Sequence, residues 1–207
     1  MLAGYEIKAG VIHQIQPERF HYTYAYIQRY ETLPTRDLSL IRTQWLRKHL
    51  GRLPGSVLDF GAGTGAFLKS YNAESGASVH AYDIVDYPLP EPIQRVLAPT
   101  LHNYELITFY DSLEHLESLD ILGQIRCPYL CISVPWCHYL SDEWLRNWKH
   151  LKPNEHIWHF DQESLANVCR RHGFAPMAFD CPEDQIRRPS DGLPNILSTL
   201  FKNELLL

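Results

Sequence analysis

The chain of 207 residues contains no apolar run approaching the roughly 18 residues needed to cross a bilayer. Its N-terminus, from Met1 to Gly10, lacks a charged segment followed by an apolar block, the pattern of a secretion signal. Positive charge is not in excess: 19 Lys and Arg stand against 24 Asp and Glu, a net charge of −5. That balance disfavours a protein that grips nucleic acid through its phosphates. Cysteine is sparse and unpatterned, five residues without repeated spacing, which predicts reduced thiols and a cytoplasmic setting. Cys127, Cys131 and Cys137 have no matching second pair, and the histidines at 138, 150, 156 and 159 fit no zinc spacing, so no metal is expected. Internal repeats and low-complexity tracts are absent as well. What remains is 45% apolar residues in a length that suits one domain with a sizeable core.

The densest local signal lies in Val57-Leu58-Asp59-Phe60-Gly61-Ala62-Gly63-Thr64-Gly65-Ala66-Phe67. An apolar pair ending in a carboxylate reads as a buried parallel strand, and three alternating glycines read as a tight strand-to-helix turn. Such a turn lets backbone pass close beneath a bulky ligand. Asp59, two positions before Gly61, points to a cationic ligand group, because a carboxylate repels a pyrophosphate and attracts an ammonium. Val79 to Asp83 is a second short strand ending in an acid, whose carboxylate can accept hydrogen bonds from two vicinal hydroxyls.

These segments resemble the class I S-adenosylmethionine (SAM) methyltransferases, and the order of further motifs extends the likeness over roughly residues 40 to 202. Tyr104 to Leu116 resembles the fourth strand and its Leu-Glu-His continuation, Tyr129 to Pro135 the fifth strand, and His156 to Phe174 the late helix of the small-molecule branch. The nearest likeness is to the group that includes the ubiquinone-pathway O-methyltransferases. It implies an α/β fold: a Rossmann-like, doubly wound, mostly parallel seven-stranded sheet with an antiparallel last strand. It also implies SAM as cofactor. Asp59, Gly61, Gly63 and Gly65 would lie at its methionine and ribose, Asp83 on the ribose hydroxyls, and Asp111 and Ser112 at the fourth strand's end.

Around this core, residues 1–36 are expected to form an N-terminal cap segment and residues 37–207 the SAM-binding domain, with an aromatic insertion at about 136–160. In the leader, Tyr24, Tyr26, Arg29 and Tyr30 are candidate cofactor contacts, with packing as the alternative. Thr35 to Asp37 can start a helix through Leu50, and Asp161 is a good N-cap for a helix over Gln162 to His172. Prolines 88, 90, 92 and 99 exclude a long helix there, and Ile93 to Leu97 reads as a shortened third strand. It is followed by Ala98-Pro99-Thr100, where the family has an adenine-reading acid or amide. Phe174 to Phe179 and Ile196 to Phe201 read as closing strands.

The catalytic candidates are His115 and His159, either of which could take a proton from a hydroxyl acceptor. Asp111 has two readings, ligand contact or helix cap, and Arg187 reads first as a solvated turn. The fourth strand ends in Tyr110-Asp111-Ser112-Leu113, not the Asn/Asp-Pro-Pro-Tyr/Phe that amino-methylating DNA enzymes use on a flipped base. With the acidic charge, this favours methylation of O or N on a small-molecule or nucleotide/sugar-type acceptor over duplex DNA. Two alternatives stay open: a non-catalytic SAM-fold binding module, and an NAD-dependent oxidoreductase, since Gly61, Gly63 and Ala66 also satisfy a loose dinucleotide fingerprint.

Overall fold

Adjacent residues of the central strands face opposite ways, and that alternation builds two cores. Val57, Leu106 and Cys131 pack with Leu46, Leu68 and Tyr71 on one face of a sheet. Leu58, Ile107 and Ile132 pack with Leu165, Val168 and Phe174 on the other. Strands buried on both faces need helices on both sides, the condition that defines a doubly wound α/β fold. In the computed structural model, which describes residues 1–23, 26, 34–189 and 191–206, that is the architecture found.

The elements run β1 (Tyr5–Lys8), β2 (Val11–Gln14), α1 (Thr35–Leu50), β3 (Ser56–Phe60), α2 (Ala66–Ser75), β4 (Ser78–Tyr82), β5 (Gln94–Arg95), β6 (Leu106–Tyr110), β7 (Tyr129–Pro135), α3 (Asp142–Asn147), β8 (Trp158–His159), α4 (Gln162–Arg170), β9 (Phe174–Asp180) and β10 (Ile196–Asn203). The seven-stranded sheet has the order β5-β4-β3-β6-β7-β10-β9. Its first five members are parallel neighbours, and β10 is antiparallel to both β7 and β9. This is the Rossmann-like sheet that the motif order predicts. The third strand is shorter than Ile93 to Leu97, only two residues pairing with His80 and Ala81.

Helix α4 starts where Asp161 suggests: its carboxylate accepts the Ser164 amide at 2.7 Å, and Ser164 Oγ accepts the Asp161 amide at 3.0 Å. This reciprocal cap satisfies two donors that a bare helix end would leave unpaired. Helix α1 begins at Thr35 without a side-chain cap; Pro34 precedes it.

The leader and the aromatic insertion meet in a second, smaller unit. Strands β1 and β2 form a hairpin, and β2 pairs with β8 through Ile12–His159 and His13–Trp158. Beside it, Ile12, Cys137, Leu145 and Trp148 form a separate apolar cluster joined by Tyr5 and Trp144. Among the described residues, no helix is long and apolar enough to cross a membrane.

Candidate active site

A cavity of about 340 Å³ opens at the carboxyl ends of β3, β4 and β6, within the range of small-molecule sites. Open α/β sheets bind ligands at this edge, where neighbouring connections leave the sheet in opposite directions. Helix α1 forms one wall through Leu38, Ser39 and Arg42, and Tyr22 and Tyr26 of the leader reach the opening.

The glycine turn forms the floor. The amides of Gly61 and Ala62 both donate to the Tyr82 carbonyl, at 2.8 and 3.2 Å, and the Gly63 amide donates to Asp83 Oδ2 at 2.8 Å. Gly61 and Gly63 have φ of 85° and 53°, left-handed values that suit glycine, and both line the cavity. Their neighbour Gly65 does not. It caps α2, and a Cβ there would lie 2.6 Å from Ile93 Cδ1, so its smallness serves packing against the third-strand segment. A Cβ at Gly61 would likewise meet Ser112 Cβ at 2.5 Å. Ser112 borders the cavity but gives its hydroxyl proton to the Phe60 carbonyl, at 2.6 Å.

Asp59 lines the cavity and is only 4% exposed; its Oδ1 accepts the Thr108 hydroxyl at 2.7 Å. Burial raises its pKa to about 7, partly opposed by the Thr108 hydrogen bond and by Arg42. A carboxylate poised near neutrality is primed to gain a cationic partner. Asp83 also lines the cavity, with Oδ1 accepting the Val85 amide at 3.0 Å.

Of the two roles its sequence suggests, the structure excludes the helix cap for Asp111 and leaves it lining the cavity. At φ 51° it anchors a half-buried ion network whose innermost member is Glu183. Arg187 Nη1 donates to both its oxygens at 2.8 and 2.7 Å, and Arg42 Nη2 donates to Oδ2 at 3.1 Å. Glu183, fully buried, accepts from Arg42 at 2.7 and 2.9 Å and from Arg187 at 3.0 Å. The two guanidiniums hold Asp111 well below the usual carboxylate range despite its burial. Arg187 is therefore no solvated turn. Sequence reasoning missed Arg42 and Glu183. Arg42 had a signal, since it stands between Leu38 and Leu46 on the apolar stripe of α1; Glu183 had none.

At the opposite end, His115 Nδ1 lies 2.8 Å from the Tyr22 hydroxyl, and both residues border the cavity. Burial lowers the His115 pKa, which keeps the ring neutral. Behind it stand Glu114 and His156, the His115 and His156 rings meeting edge to face at 4.7 Å. Burial raises the Glu114 pKa well above the ordinary value, with Asp111 adding to the effect. Tyr26 Oη donates to Glu155 at 2.9 Å.

His159 is not brought to the cavity. It is buried in the three-stranded sheet between Tyr5 and Trp148, with ring centroids at 5.6 and 5.7 Å, because its strand pairs with the leader hairpin. Burial lowers its pKa to about 4. No residue of the insertion 136–160 lines the cavity. Of the leader's candidates, Tyr26 lies at the opening, while Tyr24, Arg29 and Tyr30 fall outside the described residues.

Comparison with known proteins adds an independent finding. The family model described as a methyltransferase domain matches residues 34–178. A sequence search of curated proteins gives no match. Among solved structures, the chain is similar to Burkholderia thailandensis 1,6-didemethyltoxoflavin-N1-methyltransferase, solved with 1,6-didemethyltoxoflavin and S-adenosylhomocysteine. The TM-score is 0.61 and the identity 20%, covering 97% of this chain and 99% of that one. It is also similar to a SAM-dependent methyltransferase from Aquifex aeolicus (TM-score 0.59, 14% identity, 88% and 100% covered). A third is the magnesium protoporphyrin IX methyltransferase of Synechocystis with bound S-adenosylhomocysteine (TM-score 0.56, 14% identity, 90% of each chain).

Proposed function

The chain belongs to the methyltransferase-domain family, and from that premise we propose that it transfers a methyl group from S-adenosyl-L-methionine to an oxygen or nitrogen atom of a small-molecule acceptor. The observation that carries this reading is the cavity over the glycine turn, with one carboxylate at each side of it. Gly63 leaves room beneath the ligand, and Gly61 lets the turn close against Ser112. Asp59, poised near neutrality, pairs with the cofactor's ammonium, and Asp83 keeps lone pairs for the ribose hydroxyls.

Bound SAM supplies a methyl group already activated on a sulfonium, so the protein need build no strong nucleophile. Its residues have to orient the acceptor, exclude water and manage one proton. The Arg42–Asp111–Arg187–Glu183 network fixes α1 against the end of β6, which holds the cavity wall in place. Tyr22 and His115 form the polar wall on the acceptor side. For a hydroxyl acceptor, neutral His115 is the group assigned to take the proton; an amine acceptor that releases its proton to water needs none. His159, walled off from the cavity, has no part in this assignment.

Calorimetric titration with SAM, S-adenosylhomocysteine and NAD in parallel tests the reading. Micromolar binding of both adenosyl ligands without NAD is expected. Binding of NAD alone, or of none to the folded protein, would overturn it.

A further inference from the structure

The geometry points to a binding site for one divalent transition-metal cation, held by the Glu114 carboxylate and the Nε2 atoms of His115 and His156 at the back of the acceptor end. One ligand atom from each residue can be chosen so that all lie within 4.8 Å of one another. Glu114 is 1% exposed, and neither of its carboxylate oxygens has a hydrogen-bond partner among the described residues. A buried carboxylate left so is costly, and natural proteins rarely tolerate it without a purpose. His115 Nε2 stands 3.7 Å from Oε1, beyond hydrogen-bond distance.

Both imidazoles are oriented from behind. His156 Nδ1 lies 2.9 Å from the His150 carbonyl, which only accepts, so the Nδ1 proton is placed there and Nε2 presents a lone pair. That lone pair also looks toward Glu155 Oε1 at 3.6 Å. His115 Nδ1 is engaged by the Tyr22 hydroxyl at 2.8 Å, leaving its Nε2 on the Glu114 side. Fixing one ring nitrogen by a hydrogen bond while the other faces a common point is how proteins prepare histidine ligands. Three acceptors face the point, and a cation beside it, the Lys152 ammonium, is held 2.9 Å from Glu155 Oε1, so a bound ion has that charge to overcome. A single proton can bridge two of the acceptors; a bound ion can engage all three.

Two imidazoles and one carboxylate form the donor set of catalytic zinc sites, with the fourth position left for water or substrate. Magnesium and calcium favour all-oxygen shells, so the nitrogen pair selects a zinc-like ion. Ligand atoms on tetrahedral zinc lie roughly 3.4 Å apart, so the three side chains would close by about an ångström around it. His115 borders the cavity and gives the ion its route in. The site itself needs only the fold. Its use in catalysis, with an acceptor oxygen in the open position, rests on the methyltransferase reading. With a cation on Nε2, His115 would keep its proton on Nδ1 and would no longer serve as the base; the ion would then supply the acidification of an acceptor hydroxyl that reached it.

The test is titration of the chelator-stripped full chain with Zn²⁺ by calorimetry and with Co²⁺ by visible absorption, alongside S-adenosylhomocysteine on the same sample. The expected result is one equivalent bound, a tetrahedral Co²⁺ spectrum, and at least 100-fold weaker binding in both Glu114→Gln and His156→Gln. Circular dichroism checks that each variant is folded, and His159→Phe, outside the cluster, should bind as the parent does. No stoichiometric binding, or binding unchanged in either folded variant, would overturn the site. Metal binding without S-adenosylhomocysteine binding would instead count against the methyltransferase reading and leave the cation site standing.

Discussion

In the proposed reading the cavity has a cofactor half and an acceptor half, and the two are assembled in opposite ways. The cofactor half comes from one stretch, Asp59 to Thr64, closed by Asp83 at the end of the adjacent strand. The acceptor half draws Tyr22 and Tyr26 from the leader and His115 from the end of β6, backed by Glu155 and His156 from within the insertion. The first half is a property of a strand, a turn and a helix, so any chain with those residues in that order builds it. The second exists only once distant segments have docked. This difference predicts that lesions in the first half act on cofactor binding, and lesions in the second on turnover.

The sharpest way to break the comparison is Gly63→Val. A β-branched residue at φ 53° on the cavity floor is strained and adds two methyl groups where the ligand would lie. SAM binding should be lost to the limit of calorimetry. Gly76→Ala supplies the contrast: its φ is 67° but nothing lies within 4 Å of a new Cβ. It should lower stability by about 1–2 kcal/mol in thermal unfolding and leave SAM affinity unchanged. If both variants bind SAM equally, the turn does not face the cofactor.

On the acceptor side, His115→Ala should slow turnover about 100-fold, the lower end for loss of a proton-handling group, while SAM affinity changes less than threefold. His159→Phe should leave turnover alone, because that ring lies among Tyr5 and Trp148 away from the cavity. Equal rate losses in the two variants would mean that the smaller sheet, not the cavity wall, governs catalysis. Asp83→Ala returns to the cofactor half. Loss of a charged hydrogen-bond acceptor should weaken SAM by roughly 10- to 100-fold in calorimetry with the rate at saturation little changed. An unaltered affinity would place the ribose elsewhere.

Legibility follows the same division. Individual strands are readable from their apolar runs and glycine or proline turns, and the seven-stranded sheet from the likeness of their motif order to a known family. Asp161 was readable because a cap is a local hydrogen bond. Gly65 belonged to the right motif but packs under Ile93 instead of lining the cavity, since alternation in sequence does not say which neighbour fills each space. The Arg187 partners and the company of His115 were beyond reach. Asp111, Glu183 and Arg42 converge from three separate elements, and His156 joins Glu114 only through the path of the chain around β8. His159, one strand position from Trp158, was nominated from its neighbourhood in sequence, and the pairing of β8 with β2 turned it into the smaller core.

The smallest effect expected tests the cofactor half through Asp59, and it has two signs. Its folded pKa of about 7 lies above the ordinary 3.8, chiefly because of burial. Between those two values the folded state holds a proton that the unfolded chain has released, so this group's contribution to stability falls as pH rises toward 7 and levels off above it. Pairing with a cationic cofactor group needs the ionised form and runs the other way. From pH 7 to 6 the ionised fraction falls from about one half to about one tenth, so SAM affinity should drop about fivefold over that step. Asp59→Asn should flatten the affinity profile at a weaker value and raise the thermal midpoint more at pH 8 than at pH 4. A stability profile that follows Asp59 with an affinity profile that ignores it would leave the carboxylate a buried strand residue and move the ammonium to another wall of the cavity.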